Sequence, residues 1–214
     1  MIDSVAPTFL PTVQESIEIL AVIAFALSGL AAALRAGMDF VGVCFVAGVS
    51  AFGGGTIRDL LLDRRPFFWV EQDHLLWFII LLCLLSSIFI RQSDAELTEK
   101  WIQVPDAVGL GLFAALGAQI ALITGSSTIV AILMGVISST FGGVLRDILC
   151  NVVPKVFTDH QPYITLAVLG SLIVVGLDQF GMAQWVALAA AVSITTASRL
   201  LVLACDISIP IWRP

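Results

Sequence analysis

The chain has 214 residues, of which 59% are hydrophobic and 12% charged, with a mean hydropathy of +1.04. Soluble domains are about half apolar and about a quarter charged, so this composition cannot cover a water-facing surface and excludes a soluble enzyme. The net charge of −6 offers no basic footprint for nucleic acid, and the alternating strands of an outer-membrane barrel are missing, which leaves an all-α integral membrane protein.

A helix needs about 20 apolar residues to cross about 30 Å of hydrocarbon. Stretches free of Asp, Glu, Lys and Arg are Ile19–Leu34, Phe40–Ile57, His74–Ile90, Ala107–Leu145, His160–Leu177 and Gln179–Ser198. The fourth is 39 residues long and contains the turn formers Thr124, Gly125, Ser126 and Ser127, so it folds as two helices in a hairpin. Seven crossings are predicted, at 15–35, 40–63, 73–91, 104–123, 128–150, 161–178 and 184–204, all in a single membrane domain over 1–214. The first sixteen residues carry Asp3 and Glu15 but no Lys or Arg, so the first crossing is expected to be retained rather than cleaved as a secretory signal. One side of the membrane receives Arg64 and Arg65, the other Arg35, Arg91, Lys100, Lys155 and Arg213. The positive-inside bias then puts the N-terminus outside and the C-terminus in the cytoplasm.

Trp69, Trp77, Trp101, Trp185 and Trp212 fall at or beside predicted span ends, where amphipathic rings sit at headgroup level. Cys44, Cys83, Cys150 and Cys205 form no CxxC pair and read as small hydrophobes. His74 and His160 lie too far apart in sequence to suggest a metal site, and no metal or other cofactor is expected.

Sliding the sequence on itself by 88 residues aligns Glu18–Trp69 with Asp106–Phe157 without a gap, giving 13 identities in 52 positions. Phe25 meets Phe113, Gly29 meets Gly117, Gly54 and Gly55 meet Gly142 and Gly143, Arg58 and Asp59 meet Arg146 and Asp147, and Pro66 meets Pro154. The chain is duplicated, with repeat one at 15–91 and repeat two at 104–178. Each copy holds three predicted crossings, an odd number, so the second is inverted, as in many transport proteins. The seventh crossing stands outside the repeat. Its stripe of Ala183, Ala187, Ala191 and Thr195 would suit packing between subunits.

The glycines of Gly53-Gly54-Gly55 and Gly142-Gly143 each cost about 1 kcal/mol relative to alanine in a helix, so the second and fifth crossings are expected to be broken there. Freed carbonyls cannot face lipid and would border a wet path able to hold a cation. The alternative is that these glycines only let helices cross closely. Ser28, Gln119, Ser138, Ser139 and Thr140, with Ser50 and Thr56, are candidates to line the path.

Arg58 and Arg146 are costly inside a span, with Asp59 and Asp147 as adjacent partners. Each lies near an opposite mouth, and both either snorkel to headgroups or charge a pore. Glu18 and Asp106, at the start of apolar runs, read first as helix N-terminal charges. Arg199 would meet lipid headgroups or a neighbouring subunit. Asp59 and Asp147 would stand on the order of 25 Å apart along the membrane normal, too far for an aspartic dyad, and no HExxH motif occurs, so no enzyme is expected.

The segments FALSG at Phe25–Gly29, GGGTIRD at Gly53–Asp59, DAVGLGLFAALGA at Asp106–Ala118 and FGGVLRDILCNVVP at Phe141–Pro154 make a specific set. On them the chain resembles the bacterial family built from the glycine-transporter domain, similar to the prokaryotic branch of the trimeric intracellular cation (TRIC) channels. The resemblance implies a homotrimer of seven-helix protomers in the inner membrane of a prokaryote. Each protomer would have its own pore between the broken second and fifth helices, passing monovalent cations, chiefly potassium. Animal members of the family it resembles carry a lysine and acidic motif in the glycine-rich region and bind phosphoinositide. Arginine stands here instead, so that regulation is not carried over.

Bacterial relatives have also been assigned glycine transport, which leaves a carrier at the same breaks as the alternative. Placed by helical rise, the predicted breaks stand roughly 12 Å apart along the normal, which suits a channel better than one compact substrate site. A lipid-binding structural trimer without transport is a third possibility.

Overall fold

The computed structural model describes residues 6–89, 99–158 and 161–208. Asp3, Arg91, His160, Trp212 and Arg213 lie outside the described residues. Nine helices occur among the described residues: α1 Ala6–Arg35, α2 Phe40–Leu61, α3 Phe68–Glu71, α4 His74–Phe89, α5 Lys100–Ile123, α6 Thr128–Leu149, α7 Lys155–Thr158, α8 Tyr163–Gln179 and α9 Gln184–Cys205. The segments Val13–Arg35 of α1, and α2, α5, α6 and α9, are long and apolar enough to cross a membrane; α4 and α8 are apolar but shorter. The four-residue α3 and α7 occupy equivalent places after α2 and α6.

Helix ends explain the connections. The expected hairpin closes where Gly125 takes φ +81° and its N–H reaches Leu122 O, while Ser126 N–H reaches Ala121 O. Those two bonds satisfy the last carbonyls of α5 in a left-handed glycine cap. Gly37, its repeat equivalent, closes α1 in the same way at φ +70°. Asp39 then starts α2 by accepting the Gly42 N–H at 2.8 Å.

The core is built around α5, which packs against α1, α6, α8 and α9 and has 83% of its apolar window buried. Phe25 and Phe113 stack with ring centroids 5.7 Å apart. Contact between equivalent residues of two copies is what a two-fold relation produces. The last helix corrects one expectation. Ala187, Ala191 and Thr195 are buried within the chain, against α5 and α8, because Gly111 and Gly170 leave room for Thr196 and Thr195. Those three residues of the stripe are used inside the protomer, while Ala183, just before α9, is exposed. Trp77, Trp101 and Trp185 are exposed in the first turns of α4, α5 and α9.

Candidate functional site: two arginine clusters about a glycine crossing

The second and fifth predicted crossings, α2 and α6, are continuous helices through Gly53–Gly55 and Gly142–Gly143, so the expected breaks are absent. A break inside hydrocarbon would orphan backbone groups at several kcal/mol each, whereas a helical glycine costs about 1 kcal/mol, so the ladder stays whole. The glycines are spent on close approach instead. A Cβ on Gly54 would collide with the Ser138 carbonyl oxygen, and one on Gly142 with the Ser50 carbonyl oxygen. This pairing is reciprocal: each copy sets its glycine against the other copy's serine carbonyl. A Cβ on Gly53 would lie 2.7 Å from Leu145 Cδ1, and Gly55 leaves room for the Phe68 ring.

Most of the predicted hydroxyls gather at this crossing, each bonded to its own helix. Ser138, Ser139 and Thr140 donate to Met134 O, Gly135 O and Val136 O at 2.7–2.8 Å, and Thr56 donates to Phe52 O at 2.7 Å. Back-bonding to the preceding turn satisfies a hydroxyl in an apolar helix. Ser50 is fully buried and its Oγ has no hydrogen-bond partner among the described residues. Gln119 is placed elsewhere, its amide donating to Gln184 Oε1 at 3.2 Å on α9.

Three residues beyond each glycine pair sits an arginine in a buried cluster. Arg58 is 0% exposed; its Nε donates to Asp59 Oδ1 and its Nη2 to Glu18 Oε1, both at 2.8 Å. Its guanidinium also faces the Phe68 ring at 5.5 Å, while Nη1 has no hydrogen-bond partner among the described residues. Arg146, 3% exposed, donates from Nε to Asp147 Oδ1 at 2.9 Å and from Nη1 to Asp106 Oδ1 at 2.6 Å. Both guanidiniums are turned inward onto carboxylates, the opposite of side chains that extend outward to headgroups. Glu18 and Asp106 are likewise not helix N-terminal charges. Both lie well inside their helices, α1 and α5, and pair with an arginine across a helix interface.

The aspartates also hold the chain after each span. Asp59 Oδ2 accepts the Phe68 N–H at 3.2 Å, and Asp147 Oδ2 accepts the Lys155 N–H at 3.0 Å. One carboxylate therefore orients an arginine and caps the following short helix.

The second cluster is the more extensively bonded. Ser28, from the first repeat, accepts from Arg146 Nη1 at 2.6 Å and donates to Ile102 O at 2.8 Å. Tyr163 OH donates to Asp106 Oδ2 at 2.7 Å, and Arg199, buried, lies over the Tyr163 ring at 5.0 Å and donates to Gln161 Oε1 at 2.9 Å. Arg199 thus serves the protein interior, not headgroups. The sequence reading missed Tyr163 and misread Glu18, Asp106 and Arg199. The only available signal was that Glu18 to Arg58 and Asp106 to Arg146 are both separations of 40.

Outside this cluster lies a cavity of about 290 Å³ between the end of α1, the start of α5 and the end of α6. At its rim the Lys155 ammonium donates to Glu99 Oε1. That hydrogen bond holds the Glu99 carboxyl below the ordinary carboxylate range. Among the described residues no group of three or more His, Cys, Asp or Glu is placed to hold a metal ion.

An all-helical membrane bundle, duplicated, with a charged cluster in each copy, defines a membrane-transport class of protein. The family profile described as "Glycine transporter" matches twice, at residues 15–91 and 103–179, and the chain belongs to this family. It is 36% identical over 186 residues to the UPF0126 membrane protein of Vibrio cholerae, covering 87% of this chain and 77% of the relative. It is 34% identical over 157 residues to the UPF0126 inner membrane protein YadS of Escherichia coli, covering 73% and 75%.

Among solved structures, it is similar to the TRIC trimeric intracellular cation channel orthologue from Rhodobacter sphaeroides. The match has a TM-score of 0.83 at 38% identity and covers 92% of this chain and 100% of that one. A second TRIC cation channel matches with a TM-score of 0.83 at 32% identity, covering 94% and 97%. The fold is that of the TRIC channels, and these matches support a cation channel rather than an enzyme.

Proposed function

We propose that the protein is a potassium-permeable, monovalent cation channel of a bacterial inner membrane. It is a homotrimer of seven-crossing protomers, with α4 and α8 completing the count, the N-terminus outside and the C-terminus cytoplasmic. Each protomer has one pore between α2 and α6. The observation that carries this reading is the reciprocal contact of Gly54 with Ser138 and Gly142 with Ser50, bracketed by the Arg58 and Arg146 clusters.

Two helices touching backbone to backbone at a two-fold crossing form a closed constriction. Small relative rotation would expose the Ser50 and Ser138 carbonyls, which substitute for part of a cation's hydration shell without any side chain moving. The clusters keep each arginine neutralised, so its positive charge does not bar a cation from either mouth. No cofactor takes part, and the permeant ion is the only ligand needed.

Purified protein in liposomes tests this against the glycine carrier suggested by the family description. Voltage-driven potassium flux without saturable exchange of labelled glycine is expected. Saturable glycine exchange without ion current would replace the channel by a carrier, and neither activity would leave a structural trimer.

A further inference from the structure

The two clusters are not equivalent at their mouths. In the second, Lys155 is held twice: its N–H by Asp147 at the end of α6, and its ammonium by Glu99 just before α5. In the first copy the position 88 residues earlier is Phe67, and Pro11 stands where Glu99 would be. The backbone half of the tether recurs there through Phe68 and Asp59, but the charged half does not.

Lys155 also lines two neighbouring spaces. One is the cavity of about 290 Å³ that also meets Arg35 and Glu99; the other is a cleft of about 20 Å³, with room for about one water, against Asp106, Arg146 and Tyr163. Ile102, Asp147 and Lys155 are common to both, so they form the wall between an outer vestibule and the buried cluster.

We propose that Glu99 and Lys155 form a charge-neutral bar beside the second-repeat mouth, on its α1, α5 and α6 side, and that Glu99 sets cation entry there by cancelling the Lys155 ammonium. This rests on the channel reading. The pair is half-exposed, so its part in stability is small. Its part in permeation is larger, because an uncancelled ammonium at a narrow mouth repels every approaching cation. At the first-repeat cluster the outer charge is instead Arg64, 3.7 Å from Asp59, and among the described residues no lysine–glutamate pair stands there, so the effect of Glu99 is one-sided.

Single-channel recordings in planar bilayers test it with Glu99→Gln, Lys155→Gln and the double variant, each checked for wild-type elution on size exclusion. Glu99→Gln is expected to lower the current of one voltage polarity by about two- to threefold while the other stays within error. Lys155→Gln is expected to spare that polarity or raise it, and the double variant to restore the wild-type current ratio. A ratio of currents at the two polarities unchanged from wild type in Glu99→Gln, beside a conducting wild type, would overturn the bar and leave the channel standing. A loss at both polarities that the double variant does not repair would also overturn it. A wild type that passes no cation at any voltage would remove the channel reading and the bar together.

Discussion

Arg146→Met is expected to destabilise the protein by about 3–5 kcal/mol, the usual effect of removing one partner from a buried ion pair. The substitution roughly keeps the length of the side chain but leaves Asp106 and Asp147, 5% and 7% exposed, without the arginine that pairs with both. It also removes the donor that ties Ser28 of the first repeat to the second. Thermal unfolding in detergent checks the loss. A compensated variant, Arg146→Met with Asp106→Asn and Asp147→Asn, is expected to recover much of it, because no buried charge is then stranded. Arg58→Met is expected to behave alike, with a smaller loss, since Arg58 already has an unpaired Nη1 and makes no bond to the other repeat. Equal stability of Arg146→Met and wild type would mean that water reaches the cluster freely.

Gly54→Ala and Gly142→Ala are expected to cost about 1–3 kcal/mol each, through overpacking against a backbone carbonyl that cannot rotate away. Gly176→Ala on α8, where an added methyl meets nothing within 4 Å, is expected to gain about 0.5–1 kcal/mol from the ordinary helix preference. The opposite signs separate a crossing contact from a general glycine effect. In bilayers the two crossing variants are expected to raise the basal potassium current, since the added methyl wedges α2 from α6. Unchanged stability and current in both would deny that the two helices touch there.

Much of the architecture was legible because hydrocarbon imposes one strong rule on sequence: apolar runs of fixed length separated by turn formers. Gly125 marked the hairpin and the 88-residue shift marked the duplication, because a left-handed cap and a charged cluster each demand particular residues. The Arg58–Asp59 and Arg146–Asp147 pairs were readable as neighbours in sequence. Their longer-range partners were not. Glu18 and Asp106 stand at the edge of a charge-free run, and hydropathy places a helix start there. Backbone hydrogen bonding does not heed side-chain charge, so α1 and α5 begin earlier, at Ala6 and Lys100, and carry both acids inward.

The glycine clusters were misread for a related reason. Propensity prices a glycine against alanine in water, while in lipid the unbroken ladder outweighs that price and the missing side chain becomes packing space. Which neighbour fills the space depends on contacts such as Gly54 with Ser138, separated by more than eighty residues, and no local pattern reports it.

Ser50 and Ser138 offer the most direct test of whether cations pass through the crossing. Both are fully buried. In a background with Cys44, Cys83, Cys150 and Cys205 replaced, Ser50→Cys and Ser138→Cys would be exposed to a charged, water-soluble thiol reagent in bilayers. Modification is expected only while potassium current flows, with the current falling as the label attaches. Full current with both thiols still unreactive would contradict a pore between α2 and α6.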